Sequence, residues 1–305
     1  MKTVAVVLCQ GPPERAVELA THLDSSPSIQ QVLVAAAGSP AGDQDTRPSR
    51  LPAEVGWLAP GPGDGGPAEA FRQAGEMFPT AAAFLCVQDD VWLPHETIDA
   101  CLELLAASNI GVVAPTLVDD RGRRPAASGL TRLLVPPIAL GRVPADRPYE
   151  TEWVDPAAMF VKAACQRRIR LDGRYGPSFA HIDFCHQVRA AGWHVVVSPA
   201  RAVRRGGAER AGAGRRRQPG WQQDECHRDE CHRDGYHEVR DRLWFARAHR
   251  WPARTALFAL WSVVSVLPRT VAEDLARRGR AGPDRSATGQ ALRGLADGLR
   301  RPLPR

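Results

Sequence analysis

The sequence predicts an α/β protein, one domain built on a mainly parallel central sheet and followed by a C-terminal helical extension. Three observations predict it. Short apolar runs of strand length alternate with segments of helical periodicity through the first half of the chain. The 27 glycines and 26 prolines among 305 residues are too many for a helical bundle and suit a loop-rich α/β protein. Apolar residues at 44% and charged residues at 24% are ordinary globular proportions, which exclude wholesale disorder and a polytopic membrane protein.

Val4 to Cys9 is a continuous apolar run, as a strand buried on both faces requires. Glu14 to Leu23 carries Val17, Ala20 and Leu23 at helical spacing after two prolines that suit a helix start. Gln31 to Ala36 reads as a second strand, ended by Gly38-Ser39-Pro40, and Gly56 to Leu58 as a short third. The glycine-rich turn Gly61 to Gly66 precedes a helix from Ala68 to Met77. Ala82 to Val87 is the fourth strand and runs directly into Gln88-Asp89-Asp90. A helix from Pro94 to Ala107, with Ile98, Leu102 and Leu105 on one face, leads to a strand from Ile110 to Ala114.

The second half changes character. Thr116 to Arg147 is loop-rich, with a β-ribbon the one regular form it suggests. Trp153 to Val161 reads as strand, Asp183 to Ala191 as helix and Trp193 to Val197 as strand. Arg201 to Arg217 holds seven arginines and one acid among four glycines, which reads as a mobile basic loop. Glu238 to Phe258 reads as a helix rich in Trp and Arg, and a basic tail follows. The expected division is a catalytic-type domain over residues 1–235 and amphipathic helices with a basic tail over 236–305.

The first strand is followed by Gly11-Pro12-Pro13 with no small-residue cleavage site, so no signal peptide is expected. Ala256 to Leu267 is 12 residues, short of the roughly 20 that span a bilayer. Of the seven cysteines, Cys9, Cys86, Cys101, Cys165 and Cys185 lie in apolar stretches and read as reduced core thiols, which points to the cytoplasm.

Asp89-Asp90 carries the strongest chemical signal. Ligands of open α/β sheets bind outside the carboxyl ends of the strands, where this pair falls. Two adjacent carboxylates repel unless a cation or solvent offsets them. Their hard oxygens suit Mg²⁺ or Mn²⁺, ions that keep waters and bridge a diphosphate. The plainer alternative is a solvated loop after a strand.

Phe84 to Val91, followed by Pro94 and a helix, resembles the metal-binding turn of the family-two inverting glycosyltransferases, enzymes of GT-A type. The stretch Gly61 to Phe71 resembles that family's glycine-rich turn and helix, and Trp153 to Lys162 its acceptor-side strand. Leu171 to Tyr175, Phe179 to Cys185 and Arg189 to Trp193 resemble its catalytic acid loop and helix. Tyr236 to His249 resembles the helix after the catalytic domain, and Gly294 to Leu299 the family's usual ending. The resemblance implies a nucleoside-diphosphate sugar donor and a hydroxyl acceptor, whether glycan, lipid-linked or small molecule. It implies Gly65, Gly66, Asp89, Asp90, Arg204 and Arg205 around the donor, Mg²⁺ or Mn²⁺ at Asp90 and Asp89, His181 as general base and Asp183 orienting it or the acceptor.

The chain departs from the family in four places. Ala35-Ala36-Ala37 fills the end of the second strand, where an acid normally reads the nucleotide base. Gln88 stands where an acid or Asn is common, and His181 where the base is a carboxylate. Arg204-Arg205 stands where a late His closes the metal site, and a guanidinium offers no neutral donor to a metal. One reading keeps the chemistry by substitution: an imidazole, with an ordinary pKa of about 6.5, serves as base, and Arg204 or Arg205 neutralises the leaving diphosphate. A second leaves a binding-only homologue.

Two weaker signals remain. Asp224 to Arg228 repeats at once as Asp229 to Arg233, and its Cys and His invite zinc. Positions five apart fall on different faces of a helix, however, and no distant second pair completes a site, so a tandem duplication is the plainer account. The Arg clusters suggest either nucleic acid, in a module over residues 201–237, or acidic lipid. Since no nucleic-acid motif accompanies them, peripheral contact with an anionic membrane at the inner face of the cell membrane is the expectation. It would use Trp244, Phe245, Trp251, Leu257, Phe258 and Trp261 beside Arg247, Arg250 and Arg254. The alternative is that these aromatics pack the last helix onto the protein.

Overall fold

The computed structural model describes residues 2–36, 51–58, 66–122, 146–175, 179–205, 236, 239–249, 252–276 and 287–300. Gly65, the DECHR repeat, the basic stretch after Arg205 and most of the presumed ribbon after Thr116 lie outside them. The chain divides into two compact units, Met1–Gly173 with His181–Arg215, and Arg174–Ala180 with Arg216–Arg305.

The first unit carries the sheet. Its strands are β1 (Thr3–Cys9), β2 (Ile29–Ala36), β3 (Gly56–Leu58), β4 (Ala83–Gln88), β5 (Val91–Trp92), β6 (Ile110–Asp119), β7 (Tyr149–Glu150), β8 (Ala158–Lys162) and β9 (His194–Arg204). They form one nine-stranded sheet in the order β3-β2-β1-β4-β8-β6-β9-β5, with β7 paired to β9. β3, β2, β1, β4, β6 and β9 run one way, and β5, β7 and β8 oppose them. The fold class expected from the sequence, an α/β domain on a mainly parallel central sheet with C-terminal helices, is the class observed.

Strand alternation sorts the core into two layers. Val4, Val6, Leu8, Phe84 and Cys86 face α2 (Pro67–Met77), α4 (Ala163–Arg168) and α5 (Ala180–Ala190) through Phe71, Ala74, Cys165 and Phe184. Ala5, Val7, Leu85 and Val87 face α1 (Pro13–Asp24) and α3 (His95–Ala106) through Leu19, Leu23, Ile98 and Leu102. Gly192 follows α5 at φ 89°, the left-handed position a helix end commonly gives to glycine. Cys9 is half-buried and Cys86, Cys101, Cys165 and Cys185 are buried free thiols, as the apolar runs around them imply.

Three expectations change. Trp153 to Ala157 is a loop and not the start of β8, because Pro156 has no N–H and Asp155 Oδ1 accepts from Ala157 N at 2.9 Å, an Asx-type turn. Arg201 to Arg204 belongs to no mobile loop: it is the end of β9, held by β5 and β6. The helix expected from Glu238 to Phe258 is divided, residues 239–248 being helical and Pro252 heading a second helix, Pro252–Trp261.

In the second unit the helical residues 239–248 pack on the last helix, Ala287–Arg300. Two glycines four apart permit the close approach: a Cβ at Gly294 would stand 2.5 Å from Tyr236 O, and one at Gly298 2.8 Å from Leu243 Cδ1. Tyr236 Oη donates to Asp297 Oδ2 at 2.7 Å across the same contact. Arg240 lies over the Trp244 ring at 4.4 Å and donates to the buried Asp241. Trp244, Phe245 and Phe258 are buried, so three of the aromatics expected at a membrane surface serve as core instead. Among the described residues no helix is long and apolar enough to cross a membrane.

Candidate functional site

The strand order β3-β2-β1-β4 reverses direction of travel between β1 and β4, and the crevice beyond their carboxyl ends is the ligand position of an open α/β sheet. Asp89 and Asp90 stand there. Asp89, buried, accepts from Gly11 N at 2.8 Å and Gln10 N at 3.2 Å through Oδ2, and its own N–H bonds Leu8 O. It therefore ties the end of β1 to the end of β4. A Cβ at Gly11 would stand 3.3 Å from that oxygen, so the close approach favours glycine.

Burial pushes the Asp89 carboxyl above its ordinary range, with the Gly11 and Gln10 amides acting against the shift. A carboxyl raised on folding binds its proton more tightly in the native state. Its contribution to stability is thus most favourable at low pH and falls as pH rises from the ordinary carboxylate value through the raised one. Asp89→Asn, which removes the charge and retains an acceptor for the two amides, is expected to flatten that fall. Urea unfolding of both proteins across the acid-to-neutral range measures it.

Asp90, 2% exposed, is placed by pairing. The two residues after it form β5, which runs antiparallel to the end of β9 with Val91 opposite Arg204. Arg204 Nε donates to Asp90 Oδ2 at 2.9 Å and Nη2 donates to Gln88 Oε1 at 2.9 Å. Its Nη1 stands 3.9 Å from Asp155 Oδ2. One guanidinium thus gathers the end of β4, the acid turn and the loop before β8. Arg205 goes elsewhere: its N–H bonds Asp90 O at 2.7 Å, while its side chain donates to Glu18 at 2.9 Å and lies over Trp92 at 4.3 Å.

His181 and Asp183 are buried in the first turn of α5. The His181 ring centroid lies 5.6 Å from that of Trp153, and Asp183 Oδ2 accepts from Gln187 Nε2 at 2.6 Å, an i,i+4 pair. The segment Trp153–Asp155 accordingly touches His181 through one residue and approaches Arg204 through another. Gly66, in extended backbone, precedes Pro67 at the head of α2 and its carbonyl accepts from Glu69 N at 3.0 Å. Asp155 and Trp153 fall within the stretch that resembles an acceptor-side strand but were not singled out as site residues, and the Gln10–Gly11 amides carried no sequence signal.

One oxygen of Asp90 receives a guanidinium, one of Asp89 receives two amides, and among the described residues no group of three or more His, Cys, Asp or Glu is placed to hold a metal. Among the described residues the cationic group that faces Asp90 Oδ2 is the Arg204 guanidinium.

No protein-family model matches the chain, and no curated protein matches it in sequence. Among solved structures it is similar to that of GalNAc-T7 with UDP, GalNAc and Mn²⁺, at 11% identity and a TM-score of 0.49, over 72% of this chain and 44% of that one. The chain spans less than half the length of that structure, and a likeness this distant says nothing about chemistry.

Proposed function

We propose that this protein transfers a sugar from a nucleoside-diphosphate donor to a hydroxyl acceptor with inversion at the anomeric carbon. The observation that carries the reading is the Asp90–Arg204–Gln88 cluster at the reversal between β1 and β4, where an open sheet binds its ligand. The ordered motif resemblance along the chain supports it.

Arg204 is the diphosphate's counter-charge. Its Nε and Nη2 are spent on Asp90 and Gln88, which fixes the plane of the guanidinium and leaves Nη1 for a phosphate oxygen. The acceptor oxygen attacks the anomeric carbon from the face opposite the diphosphate, His181 takes the hydroxyl proton, and the leaving diphosphate keeps the electron pair of the broken C–O bond. Trp153 Nε1, buried and without a hydrogen-bond partner among the described residues, is a donor suited to a sugar or acceptor oxygen. Asp183 and Gly66 are proposed to shape the acceptor and donor sides, and no divalent ion enters any step.

A thermal-shift panel of nucleoside diphosphates, run with chelator and with Mn²⁺, tests this. At least one nucleotide is expected to stabilise the protein to the same extent in both, by about 2.7 kcal/mol at a hundredfold excess over Kd. No shift with any nucleotide overturns the assignment. A shift that requires Mn²⁺ retains the donor and removes Arg204 from its role.

A further inference from the structure

The helix that begins at Pro252 continues without a break through a π-helical turn, Ser262–Val266, to Ala276. Among its described side chains, the buried set includes hydroxyls and the exposed set is aliphatic. The inner face repeats every four residues as Phe258, Ser262, Val266 and Thr270, all buried, and half of these carry hydroxyls, each bonded to a carbonyl of its own helix. The exposed described side chains form an aliphatic strip: Leu257 is 50% exposed, Leu260 60%, Val263 48%, Val264 63% and Val271 41%. Every other described position of this helix that is exposed is Ala or Pro. A helix on a water-facing surface normally shows the reverse arrangement. From Leu257 to Val271 the strip is about 21 Å long at the helical rise, and the π turn at its centre sets Val263 and Val264 outward side by side.

Charge is segregated along the same division of the chain. The unit that holds this helix has 19 basic residues, all arginine, against 11 acids, a net charge of +8, whereas the sheet-bearing unit has 21 against 23, a net of −2. The protein's positive balance of +6 is therefore carried by the sequence of the unit that holds this helix.

We infer that this helix docks in the plane of a bilayer rich in anionic lipid, with its aliphatic strip at the acyl boundary and the positive charge of its unit drawing it to the headgroups. An apolar strip within a strongly positive unit is complementary to a surface that is negative outside and apolar beneath. A second copy of the chain would meet it with the same +8 and is disfavoured by like charge. No described helix has the length and apolarity to span, so the contact is parallel to the surface. This inference stands on the second unit alone and is independent of the proposed transfer chemistry.

Co-sedimentation of the full chain with vesicles of phosphatidylcholine alone, and of equal parts phosphatidylcholine and phosphatidylglycerol, is the test. Binding is expected to be at least about tenfold stronger on the anionic vesicles and to weaken as salt rises. Leu260→Glu and Val264→Glu, at outward positions whose substitution leaves the helix packing untouched, are each expected to lower it about tenfold or more with an unchanged melting temperature. Absence of binding to anionic vesicles overturns the inference. So does binding that both variants retain in full, which would place the attraction in charge alone, and so does a concentration-dependent dimer that both variants dissolve while vesicle binding is absent.

Discussion

Arg204→Ala is expected to lose nucleoside-diphosphate binding by two orders of magnitude or more and to destabilise the protein by about 3 kcal/mol. The two effects have one cause. Asp90 is buried and its Oδ2 faces the guanidinium at 2.9 Å, so truncation leaves a carboxylate out of water without its counter-charge. Gln88 Oε1 loses its donor in the same step, and Asp155 its cationic neighbour. Arg204→Lys keeps the charge but replaces a planar fork with a single point, which cannot serve Asp90, Gln88 and a phosphate oxygen together. It is expected to restore most of the stability and little of the binding. Urea unfolding and titration calorimetry on the two variants separate these contributions. Arg204→Ala with unaltered nucleotide affinity would show that the guanidinium is a structural pin only.

His181→Ala is expected to lower sugar transfer by about 10²- to 10⁴-fold, the usual contribution of a positioned base, with nucleotide affinity unchanged. The residue sits on α5 beside Trp153, on a different chain segment from the cluster that would hold the diphosphate. Its loss should therefore appear in kcat and leave the affinity for donor nucleotide alone. Retained turnover removes His181 from the mechanism. Loss of nucleotide affinity in parallel would indicate that Trp153 and the loop up to Asp155 had moved, since that loop is what His181 packs against.

The parts of this protein that read directly from sequence are those governed by local rules. β1, β3 and the helices opened by Pro13 and Pro67 were legible because apolar period, glycine and proline position act over a few residues. β5 was not, since two residues have no periodicity of their own and exist as a strand only by pairing with β9. The same pairing extended β9 to Arg204 through a stretch whose composition reads as loop. Arg204 could be named as a candidate from its place in the chain, but its separation from Arg205 could not. That depends on which side of the sheet edge each side chain takes, one toward Asp90 and the other toward Glu18 on α1. Asp89 was legible as an acid at a strand end, yet its service to the Gln10 and Gly11 amides follows from strand alternation, which turns successive positions to opposite faces.

The link between Asp90 and Arg204 joins residues 114 positions apart, and the strand that delivers the arginine is, among the described residues, the last of the sheet in sequence. During synthesis the acid corner emerges well before its neutralising partner exists. Loop-closure entropy makes so distant a pairing a late event, after the β1–β2 and β1–β4 ladders have the chance to zip. Until β9 adds, the two carboxylates must stay hydrated, so this end of the sheet remains open while the rest condenses. Completion of folding and completion of the Asp90–Arg204 corner are then one event, and a chain in which β9 is misplaced carries the defect at the candidate site.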